Sequence, residues 1–278
     1  MSNSFTWDLT SLSPIQKKIA DFIEKNIEHL PFMTERDIAA KIPTSIASVS
    51  RFWSAVGFSN LKEFKKSIQI YNEVTPANKM KNTFNRVSED DLPGALLEGA
   101  TAYLSETSQH LSRDTFEQAV EKIVHADKIF IFSPGPSEGL GTLLRFRLNR
   151  FGMTIQPMPN SGHELFESLV NISADDTVIC FSFANILPET RVILDYAADV
   201  KFTTVVITDL LVTDLNQLAD IVLYTARGQI WEFHSMVAPT AVIESLIIAV
   251  GFRLQEQSVA KLDMIQALRK RYALLLPR

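Results

Sequence analysis

Two hydrophobic periods divide the chain. Up to about residue 72, apolar residues recur at helical spacing; beyond about residue 127 they also gather in short runs of strand type. In "SPIQKKIADFIEKNIEHL", Ile15, Ile19, Phe22, Ile23 and Ile27 share one helical face. Ser13 fits the N-cap, Pro14 the first helical position, and Gln16 the reciprocal place three residues after the cap. "TERDIAAKI" repeats the start signal with Thr34 and Asp37, Pro43 ends that helix, and Thr44 or Ser45 caps the next. Gly57 breaks the third helix, and a fourth restarts at Ser59/Asn60 with Glu63 at a capping-box position. Four short helices with tight turns fit into about 60 residues.

Residues 73–92, "EVTPANKMKNTFNRVSEDDL", are polar and aperiodic, which reads as a linker. A helical stretch follows over about 93–125. Then "KIFIFS" (128–133), "TIQPM" (154–158), "TVICFS" (177–182), "TTVVIT" (203–208) and "IVLYT" (221–225) alternate with helical or mixed segments. Near-continuous apolar strands between helices indicate a parallel sheet covered on both faces. Helices at about 236–255 and 259–274 close the chain. The expected fold class is α/β: an N-terminal all-α helix-turn-helix domain (1–75), a linker (76–92) and a C-terminal doubly wound parallel-sheet domain (93–278).

The helix after Pro43 has two unlike sides. Ile46, Val49, Phe52, Trp53 and Val56 fall on one apolar stripe, while Ser45, Ala47, Ser48, Ser50 and Arg51 lie mostly opposite. A helix that enters the major groove needs little bulk on its outer face, with donors for phosphates and base edges. Small hydroxyl residues and one Arg meet that need. An ordinary solvated helix would also accept this composition. Lys17, Lys18, Lys41, Lys62, Lys65 and Lys66 on flanking helices are placed for backbone phosphates.

Charge changes this picture only slightly. The net charge is −5, but residues 1–80 hold ten Lys/Arg against eight Asp/Glu, leaving +2 there and −7 on the remainder. A hydrophobic content of 46% supports a real core. One cysteine, Cys180, allows no disulfide framework within the chain, so a reducing, cytoplasmic setting is expected. The start "MSNSFTWDLT" lacks a signal-peptide pattern, no uninterrupted apolar run reaches membrane-spanning length, and no membrane partner is expected. Five His and one Cys show no metal-ligand spacing, and no Walker A or G-x-G-x-x-G run occurs, so neither metal nor cofactor is expected.

Residues 9–72, with "LSPIQKKIADFI", "TERDIAAKI" and "SIASVSRFWSAVGFSNLKEFK", resemble the N-terminal domain of the RpiR/MurR transcriptional regulators. The Arg51-Phe52 pair, the Gly57-Phe58 turn and the Phe64-Lys65 close match that family's pattern. Residues 108–255 resemble the SIS (sugar isomerase) domain that these regulators carry as a partner module. The resemblance implies double-stranded operator DNA as a partner, contacted by Thr44, Ser45, Ala47, Ser48, Ser50, Arg51, Lys62 and Lys65. It also implies control of sugar or amino-sugar metabolism genes and assembly as a homodimer or homotetramer.

In a doubly wound sheet, ligands sit beyond the carboxyl ends of the strands near the switch point. Two loops stand there. In "SPGPSEG" (133–139), Gly135 allows a close backbone turn and Ser137 offers a hydroxyl; SIS domains have Gly-x-Gly-x-Ser, with Ser133 here replacing the first Gly. In "SFANILPE" (182–189), the resemblance aligns Ser-x-Ser-Gly-x-Thr-x-Glu. Ser182 and Glu189 match, but Ala184, Asn185 and Leu187 replace Ser, Gly and Thr. Two phosphate-holding hydroxyls are therefore missing. Three roles stay open for the sheet: a phosphosugar held by modified contacts, a different and less anionic effector, or dimerisation without effector.

Other ionisable groups take blander readings. His163-Glu164 reads as a pocket edge or helix start before an acid–base pair, and Asp209 as a turn residue. Glu232 and His234 face either a pocket or another subunit, and Arg145, Arg147 and Arg150 share a helix suited to solvent or a subunit contact. The chain thus reads as a non-enzymatic regulator. A sugar-phosphate isomerase and an assembly module without effector are the rival readings.

Overall fold

The computed structural model describes residues 12–27, 30, 33–65, 75–87, 89–211, 213–229 and 232–276. The chain divides into two compact units, with the change at Glu89/Asp90.

The first unit is helical. Its elements are α1 (Pro14–Lys25), α2 (Glu35–Lys41), α3 (Ile46–Ala55), α4 (helical at 61–65) and α5 (Pro76–Arg86). The expected caps form. The Ser13 hydroxyl accepts from the Gln16 amide while Gln16 accepts from the Ser13 amide, and Thr34 and Asp37 do the same for α2. Ser45 is the residue that caps α3, with its Oγ 3.1 Å from the Ser48 amide. Each such cap satisfies an otherwise orphan donor, an effect of about 1 kcal/mol.

Leu12, Ile19, Ile23, Leu30, Ile38, Val49, Phe52, Trp53, Leu61 and Phe64 fill one core. Trp53 stacks on Phe64 at 4.9 Å and meets Phe52 edge-on at 5.1 Å. One expected member of the stripe departs from it: Ile46, at the first position of α3, is 49% exposed.

The segment read as a linker carries α5. Thr75 caps it through Asn78, Pro76 stands at its start, and no glycine interrupts it. Its apolar positions are sparse, and this is why periodicity missed it. The expected helix over 93–125 is likewise two helices, α6 (Leu92–His110) and α7 (Arg113–His125), separated where Ser112 caps the second.

The second unit holds a five-stranded parallel sheet: β1 (Ile129–Phe132), β2 (Ile155–Pro157), β3 (Thr177–Ser182), β4 (Thr203–Thr208) and β5 (Ile221–Tyr224), in the order β2-β1-β3-β4-β5. Alternate residues supply two cores, as the strand period of two requires. Ile129, Ile131, Ile179, Phe181, Val205 and Ile207 pack against α7, α8 (Glu138–Asn149) and α12 (Val237–Arg271). Phe130, Phe132, Val178, Cys180 and Val206 pack with side chains of α9 (His163–Leu169), α10 (Pro188–Val200) and α11 (Leu215–Leu218). At the amino ends, Asp176 accepts from the Lys128 and Ser173 amides, and Asp220 accepts from the Thr204 amide and hydroxyl.

α12 is broken inside. Gln255 has φ 35° and ψ −111°, at the expected division between the two last helices. By length and composition α12 could cross a membrane, a test that a buried core helix also passes; Ile243, Leu246, Ile247 and Val250 are buried in the sheet core.

Candidate functional site

The outer face of α3 begins with Ser45 and includes Ala47, Ser50 and Arg51, all exposed, with Ser48 half-buried. Burial of Val49, Phe52 and Trp53 fixes the opposite face, so this one is turned outward by packing. Ser45 and Ser48 share a hydroxyl–hydroxyl hydrogen bond of 2.9 Å. Arg51 Nε donates to the Ala47 carbonyl at 3.2 Å, leaving the rest of the guanidinium fork on the exposed side. Exposed Ile46 adjoins this face; burial on a helical stripe was the stronger sequence signal and hid it.

The flanking cations separate. Lys17, Lys18, Lys41 and Lys62 are exposed. Lys65 is half-buried, and its Nζ donates to the Met33 carbonyl at 2.6 Å. That bond ties α4 to the turn before α2, a structural task that sequence spacing does not reveal. Thr44 is half-buried, with its amide on the Ala39 carbonyl at 3.1 Å. Lys66 lies outside the described residues.

In the second unit the strand order reverses between β1 and β3, which makes their carboxyl ends the topological switch point. The β1 loop turns at Gly135, whose φ of 58° suits glycine. Ser137 is buried, and its hydroxyl donates to the Pro134 carbonyl at 2.6 Å. Ser133 takes the family's glycine position, packed against Gly141 of α8.

The β3 loop is held more elaborately. Ser182 Oγ donates to the Asn185 carbonyl at 3.3 Å. Ala184 adopts φ 64°, a left-handed conformation that costs a non-glycine residue about 1–2 kcal/mol. Its amide donates to Asp209 Oδ1 at 2.7 Å. Leu187 occupies the N-cap of α10 and gives it no side-chain hydrogen bond, whereas a threonine there could. Asn185 is exposed and Glu189 half-buried on the first turn of α10. Thr190, fully buried on the same turn, has an unpartnered hydroxyl.

Asp209 is therefore more than a turn residue. It follows β4, and its Oδ2 accepts from Arg227 Nη1 at 3.2 Å just beyond β5. The pair is nearly sealed, with side chains 6% (Arg227) and 11% (Asp209) exposed. The Arg227 guanidinium lies 4.3 Å from the Phe183 ring centroid, and its Nε is buried without a partner. Burial pulls the Arg227 pKa down, and Asp209 pulls it back up. Nothing in the sequence links positions 209 and 227; the parallel register of β4 and β5 brings their ends together.

α6 braces the same rim. The Thr107 hydroxyl accepts from the Ala226 amide at 2.9 Å, and Tyr224 donates to Glu106 at 2.5 Å. Burial raises the Tyr224 phenol, and the Glu106 carboxylate adds to the effect. His163 and Glu164 are exposed at the start of α9, and Arg145 and Arg150 are half-buried on and just after α8. The grooves of about 670 and 710 Å³ lie elsewhere, along α12 beside Ile248 and Phe252.

Residues 122–249 match the SIS domain model. An uncharacterised HTH-type transcriptional regulator of Haemophilus influenzae is 27% identical over 223 residues, covering 79% of this chain and 77% of that one. YbbH of Bacillus subtilis, of the same description, is 22% identical, covering 87% and 85%. The sugar isomerase domain of an RpiR transcription factor from Sphaerobacter thermophilus superposes with a TM-score of 0.60 at 26% identity, covering 64% of this chain and 99% of that one. The Vibrio vulnificus NanR protein, solved with ManNAc-6P, superposes with a TM-score of 0.60 at 19% identity, covering 98% and 97%. The chain thus carries a SIS domain over residues 122–249 behind its helical unit, and over most of its length it is similar to HTH-type transcriptional regulators.

Proposed function

We propose that the face of α3 reads operator DNA and that the strand-end crevice of the SIS domain takes a sugar-derived effector which alters DNA affinity. The observation that carries the first part is the opposition within α3 of buried Val49, Phe52 and Trp53 to exposed Ser45, Ala47, Ser50 and Arg51. Arg51 supplies a base-edge or phosphate donor, the serines supply small donors, and Lys17, Lys18, Lys41 and Lys62 supply phosphate contacts. Lys65 and Thr44 act by shaping the unit.

The ManNAc-6P held by NanR supports a sugar-derived ligand for the same fold here. The crevice at Ser133–Ser137 and Ser182–Glu189 is its place. The role is regulatory rather than catalytic, and it operates in the cytoplasm. Two copies pair so that two α3 helices meet a pseudo-palindromic site. Exposed Ile248, Phe252 and Val259 on α12 support such pairing. An effector with different affinities for the assembly's arrangements shifts their populations and hence operator affinity.

The test is a salt-dependent titration of the full-length protein against DNA upstream of its own gene, with and without sugars and sugar phosphates. Sequence-specific binding that a ligand shifts supports the reading. Specific binding that no ligand shifts removes the effector role and keeps the DNA role. No specific binding removes both.

A further inference from the structure

We propose that Asp209 and Arg227 form a strut that couples the loop after β3 to α6, so that a change at the loop reaches the helix with which the second unit begins. This rests on the reading of the strand-end loops as an effector site, and concerns how an occupied loop is sensed.

The strut is a chain of direct contacts. The Ala184 amide donates to Asp209 Oδ1 at 2.7 Å, and Arg227 Nη1 donates to Asp209 Oδ2 at 3.2 Å. The guanidinium also lies over the Phe183 ring, 4.3 Å from its centroid, so Arg227 meets the loop directly as well as through Asp209. The residue before Arg227 crosses to α6, where the Ala226 amide donates to the buried Thr107 hydroxyl at 2.9 Å. Tyr224 adds a second tie, donating to Glu106 at 2.5 Å and meeting the His110 ring edge-on at 5.5 Å. α6 (Leu92–His110) starts beside the change between the two units at Glu89/Asp90.

Stability alone does not account for this arrangement. Arg227 and Asp209 are 6% and 11% exposed, and attraction within so buried a pair does little more than offset the desolvation of its two charges. Arg227 Nε is buried without a partner, which adds a cost. Ala184 holds φ 64°, a conformation that alanine otherwise avoids. Three unfavourable features meet at one contact, as they do where strain serves a function. Arg227 keeps a donor without an acceptor, and Asp209 is shared between two donors. A ligand on the loop that draws either group loosens residues 224–227, and with them the ties to Glu106 and Thr107. The closed pair and the drawn pair are two arrangements whose populations the ligand sets.

The experiment is amide hydrogen exchange on the full-length protein without ligand, comparing wild type with the double variant Asp209→Asn/Arg227→Met. Removing both charges leaves neither one buried alone. The expected result is exchange about tenfold faster in residues 183–187 and also in residues 103–110 of α6, with β1 (129–132) unchanged. Faster exchange in 183–187 alone overturns the proposal, because the pair then braces only its own loop. Equal acceleration in all three segments, or in none, also overturns it.

Should the double variant fail to fold, Ala184→Gly decides with the opposite sign. Glycine removes the cost of the left-handed loop and keeps the amide that Asp209 accepts from. It is expected to slow exchange about twofold in both 183–187 and 103–110; slowing confined to the loop overturns the coupling. The proposed function fails separately. Operator binding that no sugar or sugar phosphate shifts in wild type removes the effector role, whereas a shift retained in full by the folded double variant keeps that role and overturns the strut.

Discussion

Ser133 and Gly141 share one space: a Cβ at position 141 would stand 2.4 Å from Ser133 Oγ and 2.8 Å from its Cβ. The serine that takes the family's first loop glycine therefore depends on a glycine one helix later. Gly141→Ala adds that carbon on α8, where alanine would otherwise improve helix propensity by about 1 kcal/mol. Overpacking against the β1 end outweighs this, since Ile131 Cγ2 also lies at 3.1 Å. We expect Gly141→Ala to lower stability by about 1–3 kcal/mol in urea unfolding. Ser133→Gly in the same chain recovers part of the loss; an unchanged Gly141→Ala midpoint would mean that α8 shifts freely.

The proposed function divides the cations of the first unit into DNA contacts and a brace, Lys65. Arg51→Ala is expected to cost about 1–3 kcal/mol of operator affinity and to relax specificity at one base position, if its fork meets a base edge. Lys62→Ala should weaken specific and non-specific DNA alike and reduce the salt slope by about one. Lys65→Ala differs in kind, because Lys65 Nζ holds the Met33 carbonyl. Its removal lowers the unfolding midpoint of the protein before it touches DNA. Equal salt-slope changes for Lys62→Ala and Lys65→Ala, with no stability change, would contradict the division.

The fold was largely legible because local signals agreed with tertiary structure. Caps at Ser13, Thr34 and Ser45 carry their own chemistry, and the five strands are continuous apolar runs between breakers. The errors arose where a pattern was thin. α5 has few apolar positions, and the break at Ser112 falls between two stretches that are both helical. Of the candidate site, the placing of Ser137 and Ser182 in loops at strand ends was visible in the sequence. Arg227 was not, because its importance comes from meeting Asp209, eighteen residues away, through the β4–β5 register. Sequence proximity carries no trace of that encounter.

Cys180 sits in the middle of the sheet, fully buried on β3. Desolvation pushes its thiol up to about 12, so thiolate is scarce at neutral pH. We expect a thiol reagent to modify the native protein no faster than the second unit opens, and to react at once in denaturant. The measurement is labelling rate against urea concentration, followed by mass spectrometry. Fast labelling without denaturant would show that β3 is accessible through local opening.

The acid limb of stability should report the cap of α2. Thr34's backbone amide, then its hydroxyl, holds the Asp37 carboxylate below its ordinary value of 3.8, with Arg36 and Lys65 adding smaller attractions. A carboxylate whose folded pKa lies below its unfolded one stabilises the fold above the unfolded value and loses that contribution as pH falls through the folded value. The loss therefore falls below about pH 3.8 for Asp37. Glu63, lowered first by the Ser59 hydroxyl and then by its amide, loses its contribution below 4.5. Asp37→Asn removes the titration while Asn can still accept from the Thr34 amide. Its stability near neutral pH is expected to fall slightly, and its thermal midpoint to decline less steeply between pH 4.5 and 3 than that of wild type. Parallel curves for the two proteins across that interval would show that Asp37 has the same proton affinity folded and unfolded, and that the cap at Thr34 is not closed in solution.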